Sequence, residues 1–226
     1  GRSWDTYFEL LNFPAIFGDT GDYFSDIVFF DQTGSEVYTY RVDLLKLDRQ
    51  ILKVSEIIDQ KKNIGEVGTF AVFHSKMPDS VIQSNSWITE RGYVSYRYKN
   101  SPLRCYVHGN YDAIAKINNK LQFLSGISLI KRVYQLQFIF LPDTNYEVVI
   151  VNPCSKVNKY TIQVLSMKKN RTILDVQVCV LTSGAMFVFP IRDLIEPCRV
   201  VIKSRSVMAR PVIFSNSCDK VDVFHG

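Results

Sequence analysis

Chemistry in this chain would have to come from a few scattered polar groups. The densest is His108-Gly109-Asn110-Tyr111-Asp112, which sets an imidazole, an amide, a phenol and a carboxylate within five residues. In a loop at a module junction such a group could bind a polar ligand. With His108 as acid or base and Asp112 beside it, the same run could support hydrolysis or sugar modification. The simpler alternative is an Asx turn ending a strand, which asks nothing of His108. His74, His108 and His225 raise a three-histidine metal site, but His108-Gly109 and His225-Gly226 close two similar halves of the chain and read more simply as exposed turns. Arg205 and Arg210 lie in a strand connection and could hold a carboxylate or phosphate bidentately, or stay solvated, or pair with an acid such as Asp193. Trp87 with Tyr93, Tyr96 and Tyr98, beside Arg91 and Arg97, could stack on sugar rings or bases; alternate aromatics in a strand serve a core equally well. Gly18-Asp19-Thr20-Gly21-Asp22 with Asp26 offers oxygen ligands for calcium, without the spacing or the closing Glu of an EF-hand loop.

Catalytic motifs are missing. The sequence has no GxSxG elbow, GxxxxGK[ST] loop or HExxH helix, and its glutamates are too dispersed to single out a glycosidase pair. Cys105 lies three residues before His108, but on one strand those side chains face opposite sides. The expectation is therefore a non-catalytic binding or assembly module that recognises a carbohydrate or a protein partner. Its candidate ligand-binding residues are His108, Asn110, Tyr111, Trp87, Arg205 and Arg210, with no metal and no cofactor. A sugar-modifying or hydrolytic β-sandwich enzyme built on His108 and Asp112 is the alternative. Self-association into a homo-oligomer fits either reading.

Composition narrows the class. The 226 residues are 46% hydrophobic, 22% charged and 13% aromatic, enough for ordinary cores and unlike a disordered tail. A net charge of +5 is mildly basic, but the basic residues are scattered and Lys61-Lys62, Lys131-Arg132 and Lys168-Lys169 are only pairs. A nucleic-acid reader would concentrate them in a stripe, so nucleic acid is not the expected partner. The five cysteines (Cys105, Cys154, Cys179, Cys198, Cys218) show no CxxC or CxxH spacing, and reduced thiols in a cytoplasmic protein are the simplest account. One Cys154–Cys198 or Cys198–Cys218 bridge stays open. No apolar run is long enough to span a bilayer, and no signal-peptide pattern opens the sequence.

The elements that must position these groups read as strands. Short β-branched and aromatic runs recur about 8–12 residues apart, punctuated by Pro142-Asp143, Asn152-Pro153, Ser183-Gly184 and Glu196-Pro197. Two stretches echo each other: Tyr23 to Asp31, followed by Val37–Val42, and Tyr146 to Pro153, followed by Lys159–Val164. This predicts an all-β chain of two similar antiparallel sandwich modules in tandem, residues 1–110 and 131–226, joined by a segment at 111–130. Ile114, Ile117, Leu121 and Leu124 in that segment keep helical spacing, so it is a short helix or irregular chain. Ile51–Ile58 also keeps helical spacing, but its counterpart at 172–180 is strand-like, so a strand is expected there.

The second module carries a strand order of its own: a Val-Val-Ile-Val-Asn strand, Tyr-Thr-Ile-Gln-Val, a Gly turn, Phe187-Val-Phe-Pro-Ile-Arg-Asp-Leu194, Val200-Val-Ile-Lys-Ser204 and Arg210-Pro-Val-Ile-Phe214. Over roughly residues 145–215 this resembles the small β-sandwich proteins typified by the sensory rhodopsin transducer family. The resemblance implies a ligand- or partner-binding module and assigns no site residues.

Overall fold

The computed structural model describes residues 3–19, 21–44, 49–59, 65, 67–86, 92–99, 101–108, 114–168, 172–206, 210–218 and 220–226. Strands make up 59% of it and helices 7%, so the all-β expectation holds, with every pairing between named strands antiparallel. Contacts divide the chain into two compact units, Gly1–Asp31 with Glu36–Tyr111, and Gln32–Ser35 with Asp112–Gly226.

The first unit runs β1 (Trp4–Leu11), α1 (Phe13–Ile16), β2 (Phe24–Asp31), β3 (Glu36–Asp43), β4 (Arg49–Lys53), α2 (Val54–Ile58), β5 (Gly68–His74), α3 (Asp79–Gln83), β6 (Gly92–Tyr98) and β7 (Cys105–Val107). Its sheets are ordered β4-β1-β6-β7 and β3-β2-β5. Phe8, Leu10 and Leu52 from the first meet Ile27, Phe29 and Val42 from the second in one core, which Ile57 of α2 joins. Alternation decides who enters: Phe8 and Leu10 turn inward while Glu9 between them pairs with Arg49 at 3.1 Å. β2 is the central strand and is buried almost end to end, so its two buried polar residues, Ser25 and Asp26, need partners. Arg41 donates to both Asp26 oxygens at 2.8 and 3.2 Å, and Ser25 Oγ shares a hydrogen bond with His74 Nδ1 at 2.8 Å. Pro14 sits in the first turn of α1, where no N–H is required, and Asn12 caps it by accepting from the Ala15 amide at 3.3 Å. Ile51–Ile58 is not one strand. It is strand only through Lys53; Val54, Ile57 and Ile58 then follow their helical spacing and bury Ile57.

The second unit runs β8 (Ile114–Ile117), β9 (Lys120–Phe123), β10 (Ile127–Gln135), β11 (Asn145–Val151), β12 (Asn158–Ser166), β13 (Ile173–Leu181), β14 (Met186–Ile191), β15 (Cys198–Ser206), β16 (Val212–Asn216) and β17 (Val221–His225). Two four-stranded sheets, β10-β15-β12-β13 and β14-β11-β16-β17, supply one core. Tyr160, Ile162, Val164, Val200 and Ile202 come from the first; Tyr146, Val148, Ile150, Phe189, Ile191 and Ile213 come from the second. Phe140, fully buried between strands, lies edge-on to Tyr146 at 4.9 Å and to Phe138 at 5.3 Å. The 111–130 segment is neither helix nor irregular from 114 onward: β8 and β9 form a hairpin whose turn, Asn118-Asn119, has φ of 50° and 60°. Paired positive φ values are what a tight hairpin turn demands, and Asn tolerates them.

The tandem duplication is not carried by this topology. β2 and β3 are hydrogen-bonded neighbours in one sheet, whereas β11 and β12, the strands equated with them, lie in different sheets.

A polar network stitches the second core. Asn152, with no exposed surface, donates from Nδ2 to the carbonyls of Lys156, Leu181 and Thr182 at 2.9–3.0 Å. Its Oδ1 accepts from the Cys154 amide at 3.2 Å and the Tyr160 hydroxyl at 3.1 Å. Ser206 Oγ donates to Tyr160 Oη at 3.0 Å and lies 2.7 Å from Ser204 Oγ. Burial, against an opposing hydrogen bond from Ser206, pushes the Tyr160 hydroxyl up to about 12.

None of the five cysteines is in a disulfide, so neither bridge left open by the sequence is formed. Burial raises Cys179 and Cys198 to about 11 and Cys154 in the same direction, while Cys218 is exposed. The thiolate is the reacting form. At pH 8 an alkylating agent is therefore expected to label Cys218 first and those three only on unfolding. Mass-mapped labelling in native buffer checks this, and rapid modification of Cys198 would contradict the packing.

Candidate functional site

Of the residues singled out for binding, Trp87, Asn110 and Tyr111 lie outside the described residues, as does Asp112 of the enzymatic alternative. His108 is exposed just past β7, its ring 5.9 Å from Tyr93 and edge-on to it. Tyr93 and Tyr96 point to opposite faces of β6: Tyr93 pairs across from Glu9, on the outer face, and Tyr96 across from Thr6. Desolvation pushes the Tyr96 hydroxyl up to about 12, so the two do not share one aromatic platform. Arg205 and Arg210 are both exposed. Two of the three carboxylates of the proposed calcium loop are already engaged, Asp26 by Arg41, and Asp19 by the Tyr23 hydroxyl and the Asp79 amide, both at 2.8 Å. Among the described residues no group of three or more His, Cys, Asp or Glu could hold a metal.

In the first unit Tyr23, His74 and Lys76 gather with Phe13, Leu44 and Met77 around a cavity of ≈ 10 Å³. That is room for about one water. Lys76 Nζ lies 4.7 Å from the centre of the Tyr23 ring, and the Tyr23 hydroxyl is raised first by burial and then by its bond to Asp19. His74 is tied to Ser25, which is fully buried and unreachable as a nucleophile. The cluster is a satisfied core edge.

The feature left without a structural task is the outer face of the β10-β15-β12-β13 sheet. Alternation turns Tyr160, Ile162 and Val164 of β12 into the core and Lys159, Thr161 and Gln163 out. On β15 it turns Val200, Ile202 and Ser204 in, and Arg199, Val201, Lys203 and Arg205 to the other face, where Val201 is nonetheless buried. On β13, across from Gln163, Thr161 and Lys159, stand Val176, Val178 and Val180. Their exposures are 47%, 49% and 64% in a type that ordinarily seeks burial. Ile173 adds to them at 50%. The cations Lys159, Arg199, Lys203 and Arg205 share the face, none of them in an ion pair with a described residue.

β13 is moreover the edge of its sheet, so one row of its backbone N–H and C=O groups points away from β12. The other edges of the second unit's two four-stranded sheets carry the usual protections. β14 contains Pro190; β10 carries Lys131 and Arg132 at a register shift; β17 is only five residues long and includes Asp222. β13 has nine residues, no proline and a single charge, Asp175. Its one irregularity falls near its start, between Asp175 and Ile173, and Asp175–Leu181 is regular.

Sequence reading passed over this surface because alternating valines signal a strand, not which of its faces is covered. No family model matches the chain, and neither a curated protein nor a solved structure matches it.

Proposed function

We propose that the protein is a non-catalytic binding or assembly module that takes up an extended polypeptide partner along β13. The single observation that carries this reading is the unprotected edge: nine residues of strand with open backbone groups and a half-exposed valine row beside them. Strand addition uses both features. Main-chain hydrogen bonds give affinity, and alternate side chains give specificity. The resemblance of residues 145–215 to a family of ligand- or partner-binding sandwiches is compatible with this reading. The four cations on β12 and β15 keep the rest of the face from being a uniform apolar sheet, which leaves the edge as the place of attachment.

Selection from a displayed library of unstructured peptides tests the reading. Enriched sequences are expected to alternate β-branched residues and to bind Val178→Lys at least tenfold more weakly, because the lysine meets the added strand directly. Peptides that bind Val178→Lys as well as the native protein, or no enrichment at all, would remove the edge from the account.

A further inference from the structure

We infer that the strand received by β13 is the β13 of a second copy of the chain, paired antiparallel about a two-fold axis through Val178. This rests on the reading that the edge accepts a strand, and it names the occupant.

The outward row of β13 is symmetric in itself. With the axis at Val178, Val176 of one copy faces Val180 of the other, Val178 faces its own mate, and Val180 faces Val176. A two-fold interface requires such self-complementarity, since the same patch serves both sides. Few strands offer it over their whole regular length. Here the regular stretch, Asp175–Leu181, is centred on Val178. Gln177 falls opposite Cys179, and Asp175 falls opposite Leu181, so the only charge on the strand meets no like charge.

The cations fit the same axis. All four stand on β12 and β15, away from the seam strand. The central row across the joined sheets runs Val133, Lys203, Thr161, Val178 and then the same residues in reverse, so valines meet at the seam and each lysine stands two strands away from it. With strands about 4.8 Å apart, those two lysines stand more than a Debye length (about 10 Å at 0.1 M salt) from each other. Of the other edges of these two sheets, β14 is interrupted by Pro190, β10 by its register shift, and β17 is short and carries Asp222.

Pairing one strand on each side buries less than the about 800 Å² per partner of a standard interface. A weak, concentration-dependent dimer is therefore expected, seen by sedimentation equilibrium over roughly 1–100 μM protein. Val178→Lys, which brings two lysines together at the axis, should raise the dissociation constant more than tenfold. Register is read independently of affinity. Under mild oxidation Val178→Cys should form a disulfide-linked dimer, because the introduced thiols face one another. Val180→Cys and the native chain, with its exposed Cys218, should not. All three substitutions are on an exposed face, and circular dichroism verifies that the fold is kept.

A protein monomeric throughout the range overturns the inference. If library peptides still bind that monomer and lose Val178→Lys, the proposed function stands and the partner is a different chain. A dimer indifferent to Val178→Lys, or one that cross-links equally through Val180→Cys, places the contact elsewhere and overturns the inference as well.

Discussion

Asn152→Ala is expected to cost the second unit about 4 kcal/mol, at the upper end of what a single substitution does. The Asn152 side chain has five hydrogen-bond partners from a fully buried position, three carbonyls sharing its two N–H donors and two groups donating to its Oδ1. Alanine leaves three carbonyls, an amide and the Tyr160 hydroxyl to find other partners where water does not reach. Each buried group left unsatisfied costs about 1–3 kcal/mol, moderated where the backbone can shift. Tyr160→Phe is the comparison. It removes one hydroxyl, and Asn152 Oδ1 keeps the Cys154 amide while Ser206 keeps Ser204. A loss of about 1–2 kcal/mol is expected there. Neither tryptophan, Trp4 or Trp87, falls in residues 112–226, so urea unfolding should be followed by backbone circular dichroism or by amide exchange in β12. An Asn152→Ala protein no less stable than Tyr160→Phe would show that the network is not what holds these turns.

Phe140→Ala has the other large expected effect, a loss of about 3–5 kcal/mol. Phe140 is outside the regular strands, yet its ring has no exposed surface and is held by Tyr146 and Phe138. Its backbone is paired with Cys198 in both directions at 2.9 Å, which fixes the site and keeps the walls from closing over a missing ring. For a unit of this size the loss corresponds to a fall in melting temperature of roughly 10–20 °C. Differential scanning calorimetry should find it in the transition of the second unit alone. A shift below about 3 °C would mean that the pocket collapses freely around alanine.

Both positions show what could be read beforehand. Strands such as Asn158–Ser166 and Val221–His225 were legible because period-two alternation and turn chemistry agree along them. Asn152 was legible only as turn punctuation, since its five partners are distant in sequence or are backbone groups that composition does not show. The Asn118-Asn119 turn was misread because Ile114, Ile117, Leu121 and Leu124 have helical spacing, and the same residues serve a hairpin equally well. The echo between Tyr23–Asp31 and Tyr146–Pro153 concerned two central, buried strands, and buried strands resemble one another whatever their neighbours. For the site, sequence favoured side chains rich in functional groups, which cluster in loops. The surface along β13 consists of valines and an open edge. Whether a strand is at an edge depends on pairings between distant segments, which no local pattern contains.

The order of the β10-β15-β12-β13 sheet also bears on how the protein emerges from a ribosome. β10 is made first of its four strands, yet its one neighbour in the sheet is β15, which starts only at Cys198. At about 5–20 residues per second, β10 waits for several seconds after its own synthesis before that neighbour exists. During the wait Leu129, Ile130 and Val133 have no sheet to join. The lysine and arginine between them, Lys131 and Arg132, then act as gatekeepers for a nascent chain, guarding it before the native edge has formed.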